Sequence, residues 1–491
     1  MRPTLTFLNT ALKEQIVAEA LIILNEVGLE IHNDPLLRLL ADHGCRIDTQ
    51  KKRCHMPETV VRRSLATAPH GFWLYDVHGR QTHDLSGNNV YFTPGSAALN
   101  ILDYPSGAIR RPVTADYIRF VKLVGSLPHI ASQSTAFIPS DVPEQISDSY
   151  RLFLSLLLGE KPVVTGAFTV ESFTVMKDML LAVRGTTENL RQKPLAIFSC
   201  CPTAPLKWSG VTSQNVVDCS LFHIPVEFIS MPLSGFMAPV TIVGTLVQHT
   251  AETLSGIVIS QAAQPGAPVL YGGSPAVFDM RYETTPMGAV ETQMIDCAYN
   301  EIGKYLGLPT QAYIGLSDSK ALDAQAGSET AMGAMLAALA GINNVSGPGM
   351  LDFESCQSLE KLVMDNEICG MALRLIRGIE PKEDFPSLPL FKEMLTEGHL
   401  LIAGHTRRHM RSEHYFPGPV IDRCNRSRWQ DEGHHSNFER AHREVERIIA
   451  AAADSTLPDQ IKKDLTRLMT AEAKRYGMTD LPKSKGDERN F

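Results

Sequence analysis

The sequence PVLYGGSPAVFDMR, residues 268–281, joins a short apolar run to two glycines, a Ser-Pro and then an Asp and an Arg. The apolar run has the length and the residue types of a buried strand. Glycines directly after a strand allow a sharp turn or the close approach of a ligand. The stretch therefore predicts a strand whose carboxyl end carries polar and charged groups.

Seven further stretches repeat this arrangement. They are VYFTP at 90, HIASQST at 129, PVVTGAF at 162, LAIFSCC at 195, VEFISMP at 226, TQAYIGL at 310 and NNVSGPG at 343. Segments of helical period lie between and after the strands, at 114–125, 144–158, 171–184, 213–222, 241–263, 287–306, 326–340 and 358–377. Strands that alternate with helices pair in parallel through right-handed crossovers. Eight such units in roughly 290 residues predict an α/β protein built on a (β/α)8 TIM barrel.

A doubly wound sheet is the alternative architecture. It has fewer strands and a phosphate-binding glycine fingerprint, and neither GxGxxG nor GxxxxGK[ST] occurs here. Helical patterns before residue 70 predict an N-terminal helical cap over 1–88, followed by the barrel at 89–380. A histidine-rich segment and two amphipathic patterns predict a C-terminal helical extension over 381–491.

Composition narrows the class of protein. The 491 residues are 44% hydrophobic and 20% charged, with a net charge of −8, so we expect a soluble globular protein that does not bind nucleic acid. The nine cysteines form no CxxC pair, which favours a reducing compartment. The first residues lack a signal-peptide pattern, and no run approaches eighteen apolar residues. We therefore expect a cytoplasmic protein without a membrane span.

The residues that follow the eight strands are rich in Gly, Pro, Ser and Thr, and in a barrel they meet at the catalytic face. Gly273 and Ser274 belong to this ring and are predicted to line a small-molecule pocket. The loop SDSKALDAQAG adds Asp318, Lys320 and Gln325, which we take as candidate catalytic groups. The competing interpretation is that Asp318 or a neighbouring residue only caps the next helix.

Metal and nucleophile chemistry find little support in the sequence. His405 and His409 are four residues apart, as zinc ligands on a helix would be, but HEXXH is absent and no third ligand is evident. Cys200 and Cys201 end a strand without an implied histidine partner, and GxSxG is absent. We therefore predict no tightly bound metal and no covalent nucleophile. A reaction that mainly requires a reactant to be held and oriented fits better.

Three stretches carry a resemblance to a known family: GGSPAVFDMR, SDSKALDAQAGSETAM, and VSGPGMLDFESCQSLEKLVMDNEICGMALRLIRGIE at 345–380. Together with IILNEVGLEIH near the start and HTRRHMRSEHYFP near the end, they closely resemble the trimethylamine methyltransferase family. The resemblance implies a (β/α)8 barrel that moves a methyl group from a methylated amine to the Co(I) centre of a separate corrinoid (cobalamin) protein. Founding members carry pyrrolysine, whereas this chain has only standard residues. It resembles the branch that demethylates quaternary amines such as glycine betaine.

A quaternary amine sets its own requirements. Its nitrogen is permanently positive and leaves as a neutral tertiary amine, so no proton has to be delivered. Aromatic faces bind such cations, and the candidates are Tyr91, Phe168, Trp208, Phe236, Phe278 and Phe353. A betaine carboxylate would need a cationic partner, for which Arg281, Lys320 or His405 are candidates. Other methylated amines and a non-catalytic binding protein are the alternatives, and the sequence is compatible with a homo-oligomer.

Overall fold

The structure is a computed structural model that describes residues 2–104 and 106–482. The N-terminal region mixes short strands with helices. Its elements are α1 Thr10–Ile22, β1 Leu29–Ile31, α2 Asp34–Asp42, β2 Arg46–Asp48, β3 Arg53–His55, α3 Glu58–Thr67, β4 Trp73–Tyr75 and β5 Gln81–Asp84. A π-helical turn, Ile23–Val27, continues α1.

Strands and helices alternate through the middle of the chain. The strands are β6 Tyr91–Thr93, β7 Asn100–Leu102, β8 Ile109–Arg110, β9 Gln133–Ser134, β10 Val163–Thr165, β11 Ala196–Cys200, β12 Lys207–Trp208, β13 Val226–Phe228, β14 Leu233–Ser234, β15 Val269–Leu270, β16 Ala276–Val277, β17 Gln311–Tyr313, β18 Asn344–Ser346, β19 Met350–Leu351 and β20 Cys356–Gln357. The helices are α4 Thr114–Ser126, α5 Ser147–Leu158, α6 Val170–Arg184, α7 Thr187–Gln192, α8 Gly210–Leu221, α9 Ile242–Ala263, α10 Val290–Tyr305, α11 Ala324–Ala340 and α12 Leu359–Ile376.

Two parallel sheets form the centre of this region. One has the order β15-β13-β11-β10-β9 and the other the order β17-β18-β6. Single parallel bridges, Phe92 to Ile130 and Tyr271 to Thr310, join the edges of the two sheets. The α/β class predicted from the sequence is confirmed, and all eight predicted strands are present.

The N-terminal region differs from the predicted helical cap. Strand β1 pairs with β3 within the region and with β12 from the middle of the chain, so the two regions share one sheet. These strands lie outside the repeating strand–helix pattern, and β1 pairs with a strand far away in the chain, which is why the sequence did not reveal them. The domain bounds at 88 and 380 stay a prediction.

The hairpin β4–β5 supports the centre of the fold. Leu74 and Leu85 pack with Val164, Ile197 and Leu270, one from each of three central strands. Because side chains alternate along a strand, this contact shows which residues of β10, β11 and β15 face the space enclosed by the sheets. Two residues further along, the same face carries Gly166, Ser199 and Gly272.

The C-terminal region is helical, as predicted. Its helices are α13 Leu388–Glu397, α14 Gly404–Glu413, α15 Arg426–Asp431, α16 Asn437–Ala451 and α17 Asp459–Arg475. Helix α16 packs on α12 and α4, and α17 packs on α5 and α6. Helices α16 and α17 therefore cover the outside of the central region.

One described helix, α9, is long and apolar enough to cross a membrane by length and composition alone. Most of that helix is buried inside the protein, where it packs against α1, α3 and α8. A helix that is apolar all round and covered on all sides is typical of a protein core.

Candidate active site

A chain of hydrogen bonds crosses the space between the two parallel sheets. The Ser199 hydroxyl donates to Glu227 Oε1 at 2.7 Å, and Asn344 Nδ2 donates to Glu227 Oε2 at 2.8 Å. The Thr93 hydroxyl donates to Asn344 Oδ1 at 2.9 Å. Residues of β11, β13, β18 and β6 thus meet around one fully buried glutamate. A polar centre of this kind is unusual, because such interiors are normally filled by branched apolar side chains.

Burial dominates the electrostatics of Glu227. It raises the pKa of the carboxyl group to about 7, while the hydrogen bonds from Ser199 and Asn344 act in the opposite direction. Tyr313, on β17, lies close by, since the charges of Glu227 and Glu354 both add to the effect of burial in raising its pKa. The same two glutamates act on Cys201, whose pKa burial raises to about 12, so its thiol stays protonated near neutral pH. Burial therefore disfavours the thiolate, the form in which Cys201 would act as a nucleophile.

Glu354 reaches this site from a strained loop. Asp352, Phe353 and Glu354 have φ angles of 51°, 55° and 66°, three consecutive residues in the left-handed region. Each costs roughly 1–2 kcal/mol in a residue other than glycine, and such strain is concentrated at functional sites. Glu354 Oε1 is buried and has no hydrogen-bond partner within the described residues. Burial and the charge of Asp318 raise the pKa of Glu354 to about 8.

Asp318 is held at the edge of the same site. Its two carboxylate oxygens accept hydrogen bonds from the backbone N–H groups of Met287 at 2.9 Å and Gly288 at 2.7 Å. Burial raises the pKa of Asp318 to about 6, these bonds act against the rise, and the neighbouring Glu329 adds to it. The predicted helix cap is a different residue: Asp323 accepts from Ala326 N at 3.0 Å at the start of α11. We call Glu227, Tyr313, Asp318 and Glu354 the carboxylate site.

The other two candidate catalytic residues support this site from outside. Lys320 is exposed, and its Nζ donates to the Asp318 carbonyl oxygen at 2.7 Å and lies 3.6 Å from Asp352. The same Nζ lies 3.8 Å from the centre of the Phe353 ring, so that ring face already holds a cation. Gln325 is exposed and donates to Glu329 Oε1 at 2.8 Å. Neither side chain contacts Glu227 or Glu354 directly.

The two glycines of GGSP are required by packing. A Cβ atom on Gly272 would collide with the Gln311 side chain and would lie 2.9 Å from the Phe228 carbonyl oxygen. A Cβ atom on Gly273 would collide with His249, whose Nε2 lies 3.0 Å from the Gly272 carbonyl oxygen. Gly273 thus permits the close approach of α9, and we assign it no contact with a substrate. Ser274 is buried and bonded through its backbone N–H to the Ser230 carbonyl oxygen at 3.0 Å.

The aromatic side chains predicted to cage a cation do not all meet in one place. Tyr91 lies beside His83 of the β4–β5 hairpin, and its hydroxyl accepts from Asp84 N at 3.0 Å. Trp208 is fully buried and donates its indole N–H to the Ser255 hydroxyl at 2.9 Å. Phe168 is 46% exposed and lies over the Arg151 guanidinium at 4.9 Å. Because these three rings contact other groups, the structure does not support a cage that contains them.

Phe236 and Phe278 stack on each other with ring centres 5.0 Å apart. They lie on the loops around β14 and β16, which pair in parallel. Several large apolar side chains near this strand pair are exposed to solvent, among them Phe236, Met237, Val240, Met280 and Tyr282. The pair belongs to an apolar surface, and no contact connects it to Glu354.

Within the described residues, Arg281 and His405, two of the basic residues expected to bind a carboxylate, form no hydrogen bond or ion pair with the carboxylate site. The Arg281 side chain is 79% exposed and forms an ion pair with Asp279 at 2.6 Å. His405 lies on α14, where its ring packs edge-on against His409 at 4.9 Å. Within the described residues no group of three His, Cys, Asp or Glu side chains is arranged to hold a metal ion. A surface cavity of about 590 Å³ between α1 and α3 is lined by Glu14, Glu58 and Arg62, without a titratable group that is fully buried.

Sequence reasoning missed Glu227 and Tyr313. Both carried a signal: Glu227 is the one charged residue in the strand VEFIS, and Tyr313 faces the same side of its strand as Gln311. A charge inside an apolar strand is informative because it is rarely buried without a function. Glu354 stands out in the sequence as a charged residue of the loop after the eighth predicted strand, but the sequence assigns it no role, since the direction of its side chain depends on the left-handed loop.

Comparisons with known proteins agree over nearly the whole chain. The family model for Trimethylamine methyltransferase (MTTB) matches residues 1–477. The trimethylamine methyltransferase MttB of Methanosarcina thermophila is 30% identical over 468 residues, which cover 94% of this chain and 95% of that protein. The glycine betaine methyltransferase of Desulfitobacterium hafniense is 28% identical over 466 residues, covering 94% and 96%. The crystal structure of the Methanosarcina barkeri monomethylamine methyltransferase MtmB covers 90% of this chain and 93% of its own, at 12% identity and a TM-score of 0.49.

Proposed function

This chain belongs to the trimethylamine methyltransferase family, and from that membership we propose that it moves a methyl group from a quaternary amine, most of all glycine betaine, to a corrinoid carried by a separate protein. One observation is the basis for proposing a cationic substrate. Glu227, Asp318 and Glu354 gather in one site, and within the described residues none of the three carboxylates has an ion-pair partner within 4.0 Å. A relative named as a glycine betaine methyltransferase supports the choice of betaine.

The charges of the site favour a cationic ligand. Burial raises the pKa values of Glu227 and Glu354 to about 7 and about 8, and the charge of Asp318 adds to the rise at Glu354. A quaternary ammonium ion supplies the missing positive charge and favours the ionised form of the carboxylate beside it. Glu354 is placed for this contact because its Oε1 is buried without a partner. Tyr313 faces the same side of its strand as Gln311 and is the register partner of Ser346, which supports its use as an aromatic surface for the cation.

The reaction then needs little acid–base chemistry. The C–N bond breaks with its electron pair going to nitrogen, which leaves as a neutral tertiary amine, and the methyl carbon forms its new bond with the acceptor. A reduced corrinoid on the partner protein would supply the electron pair for that new bond. The residues of this chain bind the ammonium group, orient one methyl group outward and exclude water. Since Cys201 stays protonated near neutral pH and Glu227 is hydrogen-bonded, no covalent intermediate on the protein is required.

The architecture proposed for this chemistry is a closed (β/α)8 barrel. Two parallel bridges between the sheet edges support it, with Ala131 N donating to the Phe92 carbonyl at 2.7 Å and Gln311 N to the Tyr271 carbonyl at 3.1 Å. The bond between Glu227 and Asn344 supports it as well, because these residues belong to different sheets and meet across the space between them. In such a barrel the carboxylate site would lie inside, toward the carboxyl ends of the strands.

Isothermal titration of the purified protein with glycine betaine, trimethylamine and tetramethylammonium tests the substrate class. We expect both quaternary amines to bind and Glu354→Gln to weaken both, because the substitution keeps the shape of the side chain and removes its charge. Glu58→Gln is the matched control, since Glu58 is exposed and paired with Arg62. If trimethylamine binds more tightly than either quaternary amine, or if both variants behave alike, the proposed substrate class is wrong.

A further inference from the structure

Two neutral side chains in the space between the sheets have polar atoms that no described residue satisfies. Gln311 Nε2 and Ser346 Oγ are buried and make no hydrogen bond, and both residues are at most 1% exposed. Buried donors without a partner are rare in folded proteins, because each costs about 1–3 kcal/mol. Two unmet donors of this kind on one face of neighbouring strands point to a ligand that completes them. We call Gln311 and Ser346 the donor pair.

The strand register places the donor pair beside the carboxylate site. On β17 and β18, Gln311 is the register partner of Asn344, and Tyr313 is the register partner of Ser346. Asn344 and Ser346 are two residues apart and face the same side, as do Gln311 and Tyr313. Asn344 donates to Glu227, so this face is the one that meets the carboxylate site. Gln311 is fixed in orientation because its Oε1 accepts from Gly273 N at 3.1 Å, which leaves Nε2 as the free donor.

We propose that the donor pair binds the carboxylate of the substrate, so that this site selects zwitterionic amines over simple quaternary cations. The inference rests on the proposed function, which assigns the ammonium end to Glu354. Two donors without a formal charge suit a carboxylate that carries its own counter-charge on the same molecule. A full cation at this position would instead form an ion pair with Glu227. Hydrogen bonds to a charged acceptor are about twice as strong as neutral ones.

Glu227 is compatible with this arrangement in its neutral form. An ionised Glu227 would repel a substrate carboxylate, but burial raises its pKa to about 7, so the neutral form is accessible near neutral pH. When neutral, Glu227 also carries an O–H that can donate. The side chains predicted earlier for this role, Arg281 and His405, lie on the surface and on α14.

The test compares three ligands that share a trimethylated nitrogen: glycine betaine, choline and tetramethylammonium, titrated calorimetrically near pH 7. Ser346→Ala removes one donor, and Gln311→Met removes Nε2 at similar side-chain length without adding a charge. We expect each variant to bind glycine betaine about tenfold more weakly or worse, and tetramethylammonium within about twofold of the parent protein. Ser132→Ala is the matched control, because the Ser132 hydroxyl is buried but already bonded to His83 at 3.0 Å.

The outcomes separate the two proposals. If the parent protein binds none of the three ligands, the proposed function fails. If it binds them and the variants lose betaine and tetramethylammonium equally, or lose neither, the donor pair has no role and the proposed function stands. If choline is lost as strongly as betaine, the pair binds a hydroxyl oxygen and the carboxylate assignment is overturned. Circular dichroism and thermal melting of each variant show whether it is folded.

Discussion

Glu354→Gln should weaken the binding of a quaternary ammonium ion without destabilising the protein. The substitution keeps the size of the side chain and removes the charge that we assign to the ammonium group. An interaction of this kind between buried charged groups is worth about 1.5–3 kcal/mol, which corresponds to roughly a tenfold to a hundredfold loss of affinity. Calorimetric titration with tetramethylammonium measures this loss most cleanly, because that ligand has no second functional group.

Stability should change in the opposite direction. The folded protein raises the pKa of Glu354 from 4.5 to about 8, so the native state binds this proton more tightly than the unfolded state does. The free energy of unfolding therefore falls as the pH rises from about 4.5 through about 8. Glutamine cannot ionise, so the variant escapes this loss, by at most about 4 kcal/mol at pH 8 and by less where solvent reaches the side chain.

The assay is thermal melting of both proteins between about pH 5 and pH 9, beside the titration. We expect melting temperatures that agree at the acidic end and a variant that is more stable at the alkaline end. A variant that binds tetramethylammonium like the parent protein would refute the assignment of Glu354 to the cation. A variant that melts earlier at every pH would show instead that Glu354 only holds its loop together.

Four further outcomes are expected. The affinity for tetramethylammonium should rise with pH up to about 8 and then level off, because below that value binding must first remove the proton of Glu354; a flat titration profile between about pH 6 and pH 9 contradicts this. Asp318→Asn should lower the melting temperature slightly and weaken betaine binding, since it disturbs the carboxylate that holds the Met287 and Gly288 amides; unchanged values on both measurements would remove Asp318 from the site. Gly272→Ala should cost several kcal/mol in chemical denaturation because its Cβ would strike Gln311, and a cost below about 1 kcal/mol would mean that the strand shifts freely. Methyl transfer should survive exhaustive treatment of this protein with EDTA, and loss of activity that zinc restores would contradict that expectation.

The repeating pattern of the sequence was sufficient for the eight central strands. The ends of helices such as α9 and α10 lie within three residues of the predicted ends, because these helices are long enough to show a clear helical period in the sequence. Strands outside this repeating pattern escaped detection, among them β1 and the β14–β16 pair. Their existence depends on partners far away in the chain, such as β12 for β1, and no local pattern encodes that pairing.

The site was predicted less well than the fold. The sequence pointed to the loops after the strands, and one of its loop residues, Asp318, does border the carboxylate site. The contacts of the rings do not assemble the predicted aromatic cage, because the partners of a ring depend on packing: Trp208 meets Ser255 of α9, and Tyr91 meets the hairpin. Whether Arg281 is available for a substrate depends in the same way on its ion pair with Asp279.

Measuring methyl transfer directly tests whether this chain is a quaternary amine methyltransferase. The protein is mixed with glycine betaine and a Co(I) corrinoid in a single turnover, and methyl-cobalt and dimethylglycine are quantified together. We expect methyl-cobalt and dimethylglycine to form in equal amounts with the parent protein and far more slowly with Glu354→Gln. Trimethylamine should give neither product. Methyl-cobalt formed from trimethylamine as fast as from betaine, or no methyl-cobalt from any quaternary amine, would contradict this expectation.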